Sequence, residues 1–128
     1  MRVVVLRNGE FEVKDIKGDL ESLQHEVGGY IEIPHIVPDL YKAGIDMIIN
    51  EEGKFVHDFD PEIAIINENR DVMDVIYGPC VFTSFDSEGN TTAINDDQIK
   101  ILESVLDFVG VLYTSDGKTN FVRLANNY

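Results

Sequence analysis

Apolar and polar positions divide this chain into short strands and two helices. Arg2 to Arg7 is a β-branched run, and Glu10 to Ile16 alternates polar and apolar over its first half, the period of a half-buried strand. Asn8-Gly9 between them accepts positive φ at both positions, as a two-residue hairpin turn requires. After Asp19, a good N-cap, Leu20, Leu23 and Val27 fall on one helical face, and Gly28-Gly29 ends that helix. Tyr30 to Ile33 reads as a short strand, and Pro34 and Pro38 bracket an irregular stretch. Ile45 to Asn50 and Lys54 to His57 read as two strands joined through Glu51-Glu52-Gly53, with Gly53 in the left-handed position of a hairpin loop.

Farther along, Ile63 to Asn67 is a further apolar run, Asp71 to Ile76 fits either one helical turn or an irregular crossover, and Pro79 to Asp86 is a strand. Asn95 opens the clearest helix, near 95–108. Gln98 completes a capping box, Asp96 and Asp97 complement the dipole, and Ile99, Leu102, Leu106 and Val109 form the buried stripe. A closing hairpin, 109–125, turns at Ser115-Asp116-Gly117-Lys118. The expected fold class is α+β: one domain over residues 1–128, a mainly antiparallel sheet with hairpins and two principal helices. Leu20, Leu23, Val27, Ile31, Ile99, Leu102 and Leu106 should be largely buried.

With 128 residues the chain buries roughly two thirds of its unfolded surface, so it needs no disulfide or metal to fold. A single cysteine favours the cytoplasm, and the N-terminal run is too short and too charged for a signal peptide. No apolar run approaches the ~20 residues of a membrane helix. Net charge changes the picture most: 24 acids against ten bases give −14. That argues against direct contact with nucleic acid or an anionic membrane. The acids concentrate between Phe55 and Ile99, where the only base is Arg70. A basic partner surface is the complementary reading, and a solubility surface the plainer one.

Leu23-Gln24-x-x-Val27-Gly28-Gly29-Tyr30-Ile31-Glu32, then Ile49-Asn50-Glu51-Glu52-Gly53-Lys54, Asn69-Arg70 and Asp74-x-Ile76-x-Gly78 resemble, in that order, a small bacterial domain family of unknown function. The resemblance spans about residues 3–106. It implies a home in Gram-positive bacteria, their phages and other mobile elements, and it implies no activity. In the family the Asn-Arg pair follows closely on the Asn-Glu-Glu-Gly-Lys turn. Here extra acids intervene, and the hairpin 109–125 is added.

Chemical constellations are sparse. His57-Asp58-Phe59-Asp60 sets two carboxylates on one strand face but lacks a second ligand pair, so no metal is expected. Asp86-Ser87-Glu88-Gly89-Asn90 has a calcium loop's composition without its spacing, which leaves a turn. Cys80 has no base beside it and reads as a core residue. Gly28-Gly29 lies at the wrong end of its helix for a phosphate. No cofactor and no catalytic residue is expected.

Binding is the remaining function class. The leading reading is a non-enzymatic acidic accessory protein that engages a basic protein surface, a possible mimic of nucleic-acid charge, through Asp58, Asp60, Asp71 and Asp74. The alternative is a small-molecule or nucleotide module around Tyr30, Glu32, Asn50, Glu51, Lys54, Asn69 and Arg70. The plain account of Asn50, Lys54, Asn69 and Arg70 is turn hydrogen bonding, with Arg70 paired to a nearby acid.

Overall fold

The computed structural model describes residues 1–113 and 116–128. Thr114, the expected end of the first strand of the C-terminal hairpin, and Ser115, of its expected turn, lie outside the described residues. Among the described residues, fourteen elements follow in order. Strands β1 (Arg2–Arg7) and β2 (Glu10–Asp15) precede α1 (Leu20–Val27), β3 (Ile31–Glu32), α2 (Pro38–Tyr41) and β4 (Ile45–Asn50). A 3-10 turn (Gly53–Phe55) leads into β5 (Pro61–Ile66), β6 (Val72–Tyr77), β7 (Cys80–Phe85) and β8 (Thr91–Thr92). The chain closes with α3 (Asp96–Val105), β9 (Val109–Tyr113) and β10 (Thr119–Asn126).

The fold is α+β, with two sheets dominated by antiparallel pairs. One runs β2-β1-β7-β4-β3 with β8 on β7, and the other runs β6-β5-β10-β9. Its central pair, β5 with β10, is the one parallel contact among the described residues. Both faces of the first sheet are covered. Val3, Val5, Ile48 and Val81 meet Leu23 and Val27 of α1 on one side. On the other, Val4, Leu6, Met47 and Phe82 share a core with Ile63 and Ile65 of β5 and with Leu102 and Leu106. That two-sided burial explains why β4 is buried at every position, Asp46 and Asn50 included.

Local chemistry sets several boundaries where the sequence places them. Asn8 (φ 52°) and Gly9 (φ 79°) form the first hairpin turn, with Arg7 opposite Glu10. The Asp19 carboxylate accepts from the Ser22 N–H, and Gly28 caps α1 at φ 80°. Asn95 and Gln98 make the reciprocal capping box, with bonds of 2.8 and 3.1 Å.

Other expectations are corrected. Leu20 is 57% exposed, because only the second turn of α1, at Leu23 and Val27, reaches the sheet. Ile31 is only half-buried. Lys54 to His57 is not a strand. A β-carbon on Gly53 would fall 2.5 Å from the Tyr77 carbonyl oxygen, so this glycine permits a close approach to β6 and its φ is not in the left-handed region. Pro38 starts α2 at its first turn. The stretch from Asp71 to Ile76 is neither a helical turn nor an irregular crossover, because it holds most of strand β6 (Val72–Tyr77). α3 ends at Val105, and Val109 leaves the helical stripe to open β9, 56% exposed. No helix among the described residues is long and apolar enough to cross a membrane.

Candidate functional site

Three of the motif segments, at Glu32, at Ile49 to Lys54 and at Asp74 to Ile76, meet around one cleft. β4 ends at Asn50, which is buried. Its Nδ2 donates to the Val27 carbonyl at 3.0 Å, and its Oδ1 accepts from the Glu52 N–H at 2.8 Å. One side chain thus ties the end of α1 to the turn after β4. Gly29 is small for the same reason, since a β-carbon there would lie 2.9 Å from Asn50 Nδ2. The Glu51 N–H bonds the Tyr30 carbonyl at 2.8 Å and draws β3 alongside β4.

Where this corner meets β6, an open cleft of about 270 Å³ remains. Pro34, Ile36, Ile49 and Ile76 supply apolar walls, and Phe55 and Tyr77 add aromatic ones. Phe55 is 87% exposed. The charged groups lining the cleft are Glu32, Glu51, Asp74 and Lys54. Lys54 Nζ is bonded to the Asp74 carboxylate, which also accepts from the Val75 N–H at 2.8 Å. The sole cation lining the cleft is therefore spent on one of its three carboxylates, and Glu32 and Glu51 remain exposed to solvent.

The remaining candidate residues lie elsewhere. Tyr30 is 72% exposed and does not line the cleft. Asn69 and Arg70 form the β5–β6 turn, where the Asn67 side chain accepts the Asn69 and Asp71 N–H groups at 2.9 and 3.0 Å. Arg70 adopts φ 69° and makes no ion pair among the described residues, so the expected pairing with an acid is absent. It borders a different groove, beside Asp39, Phe108 and Tyr128. The structure thus separates Arg70 from Lys54. Of the four acids proposed for a basic partner, Asp58 and Asp71 are exposed, Asp60 pairs with Lys118 at 2.7 Å, and Asp74 holds Lys54.

Other groups are built into the fold. Cys80 is buried and donates to the Gly78 carbonyl at 3.6 Å, and burial pushes its thiol far above the ordinary range. Such a thiol supplies no thiolate. The Asp86 carboxylate accepts the Glu88 and Asn90 N–H groups as an Asx turn, and the Asn90 bond leads in lowering its pKa. Among the described residues no three His, Cys, Asp or Glu side chains are grouped to hold a metal.

Two features escape the sequence reading. Phe55 becomes a cleft aromatic only because its segment is a 3-10 turn. Glu62, buried inside an apolar run, accepts from the Asn8 and Gly9 N–H groups at 2.7 and 2.9 Å. Nothing local to Glu62 signals this, because its partners lie more than fifty residues away in the chain.

Neither a curated protein nor a solved structure matches this chain. A family model does, over residues 1–107, and the β9–β10 hairpin lies beyond the match. The chain belongs to DUF3846, a family of domains of unknown function.

Proposed function

We propose that this domain is a non-enzymatic binding module that engages a basic protein surface, as a cytoplasmic accessory factor of a phage or mobile element. The cleft between β3–β4 and β6 takes a cationic side chain of the partner. One observation carries this reading: Glu32, Glu51 and Asp74 surround an apolar floor beside the exposed Phe55 ring, and Lys54 is already neutralised by Asp74. A guanidinium or ammonium group there meets carboxylates in front and an aromatic face at its side, and such cation–π contacts contribute ~0.5–2 kcal/mol. The −14 net charge steers a basic partner toward the site.

The alternative, a nucleotide or other anionic small molecule, is disfavoured by the same chemistry. An anion in this cleft faces the unpaired Glu32 and Glu51 carboxylates and finds its one cation held by Asp74. Arg70, the other cation of that reading, borders a separate groove.

The test compares the wild-type chain with Glu32→Gln/Glu51→Gln as bait for host proteins, followed by kinetics of a captured partner against ionic strength. The expected result is a partner with a basic surface whose on-rate falls as salt rises and whose affinity drops several-fold for the double variant. Equal affinities that stay flat with salt overturn the reading. Binding of a nucleotide by the isolated protein moves the alternative to the front.

A further inference from the structure

We infer that Asn8 is a covalent modification site, the chain's point of spontaneous deamidation, and that Glu62 and Arg123 hold the reaction back by clamping its turn. The reaction needs no enzyme. The Gly9 amide nitrogen attacks the Asn8 side-chain carbonyl carbon and a C–N bond forms. The side-chain nitrogen leaves as ammonia, taking the proton that the Gly9 nitrogen gives up. Water then opens the cyclic imide at either carbonyl and leaves an aspartyl or isoaspartyl residue at position 8. A following glycine favours the attack, because no side chain shields its nitrogen. Asn8 is the one asparagine of the sequence that precedes a glycine.

Nothing about the side chain itself protects this site. Asn8 is exposed, and its side-chain amide makes no hydrogen bond among the described residues. The space where Gly9 would carry a β-carbon is empty to 4 Å. Protection lies in the backbone. With φ 52° and 79° at its two corners, and Arg7 opposite Glu10, the turn is type I′. The first corner of such a turn has ψ of roughly +30°, the mirror of type I. That rotation carries the Gly9 nitrogen away from the Asn8 side chain, so attack requires the turn to open.

Two buried anchors oppose that opening. The Glu62 carboxylate, 4% exposed, accepts the Asn8 N–H at 2.7 Å and the Gly9 N–H at 2.9 Å. The second bond holds the nitrogen that would attack. A carboxylate is too weak a base to take a peptide N–H proton, so the bond restrains the nitrogen and does not activate it. On the other side of Gly9, the Arg123 guanidinium donates to its carbonyl at 2.9 Å and to the Leu106 carbonyl at 3.0 Å. Both peptide groups flanking Gly9 are thus tied to β5 and β10. Once formed, the product works against the same clamp. Either form adds a carboxylate beside Glu62, and the isoaspartyl form also inserts a methylene into a two-residue turn that has no room for it.

Timed incubation of the full chain in mildly alkaline buffer, followed by peptide mass spectrometry and an isoaspartyl assay, tests this. Unfolded in urea, the wild type should deamidate first at Asn8. Folded, it should do so there at least about tenfold more slowly. Glu62→Gln offers one acceptor oxygen and an NH2 donor, so one of the two N–H groups loses its partner. Folded Glu62→Gln should then deamidate at Asn8 about tenfold faster than the wild type, the weight of one charge-assisted bond. Arg123→Lys, which loses the fork, should also accelerate it. Asn50→Ala weakens the fold away from this turn and should leave the rate unchanged. Circular dichroism of the same samples checks that all four proteins stay folded. Equal rates in the wild type and both clamp variants overturn the inference, as does equal acceleration by Asn50→Ala, which would make global unfolding the route. An unfolded chain modified first at another asparagine, or a folded wild type that reacts as fast as the unfolded one, overturns it too.

Discussion

Phe59 lies against Gly78 so closely that a β-carbon at position 78 would fall 2.3 Å from its ring. The same ring reaches Gly28, whose β-carbon would lie 3.3 Å away. Two glycines that mark the family motif therefore serve one aromatic contact that closes the loop before β5. Gly78 also sits at φ 85°, so an alanine there meets both backbone strain and a clash.

Gly9 isolates these two costs. Its φ is 79°, yet nothing lies within 4 Å of its missing β-carbon. Gly9→Ala should cost only the left-handed backbone penalty, about 1–2 kcal/mol. Gly78→Ala should cost about 2 kcal/mol more, because the Phe59 ring must leave its site. In urea unfolding, Phe59→Ala combined with Gly78→Ala should cost less than the sum of the two single changes. Strict additivity would refute the contact.

The contrast shows which parts of this structure a sequence can display. Asn8-Gly9 is legible because turn geometry depends on the two residues themselves, and so is the Asn95–Gln98 box. Gly53 and Gly78 are not, since what excludes a side chain there is the Tyr77 carbonyl or the Phe59 ring, both brought in by the fold. Leu20 satisfies the helical period yet has no sheet beneath it. The cleft was half legible: Glu32, Asn50, Glu51 and Lys54 stand in recognisable motifs. The Lys54–Asp74 bond and the exposure of Phe55 depend on a 3-10 turn that reads locally as a strand.

Stability should record Glu62 as pH changes. Burial holds its carboxyl above the ordinary 4.5, while the Gly9 and Asn8 N–H groups pull the other way. The folded state thus keeps its proton where the unfolded chain has released it. The cost of ionising Glu62 in place is absent below pH 4.5 and grows as pH rises through the folded value. Glu62→Gln should therefore gain on the wild type as pH climbs above about 4.5. Asp19 and Asp86, whose pKa values are lowered by N–H bonds, act in the opposite sense at lower pH and cancel in the comparison. Denaturant unfolding at a series of pH values checks this, and a constant gap between the two proteins would refute it.

Stability and binding should separate at the cleft. Asn50→Ala strands the Val27 carbonyl and the Glu52 N–H, and should cost about 1–3 kcal/mol in thermal or urea unfolding. Phe55→Ala removes an exposed ring and should leave stability within about 0.5 kcal/mol. Its affinity for a basic partner should fall instead. A Phe55→Ala protein that melts early would make this ring part of the packing, not of the site.

The family match ends at residue 107, but the folding unit should not. β10 lies between β5 and β9, and pairs with β5 from Arg123 to Asn126. Val122 and Ala125 are buried, so removing this strand uncovers Ile63 and Ile65 along one whole edge. Arg123 adds long-range ties: its guanidinium donates to Leu106 and Gly9 carbonyls at 3.0 and 2.9 Å, and stacks 4.6 Å above the Phe11 ring. Lysine cannot reproduce that fork, so Arg123→Lys should cost about 1–3 kcal/mol. A fragment of residues 1–107 should lose far more. It should show no cooperative urea transition and should bind a hydrophobic dye that the full chain excludes. A fragment that unfolds cooperatively, with a midpoint near that of the full chain, would instead show that β9 and β10 are an appendage to a core complete without them.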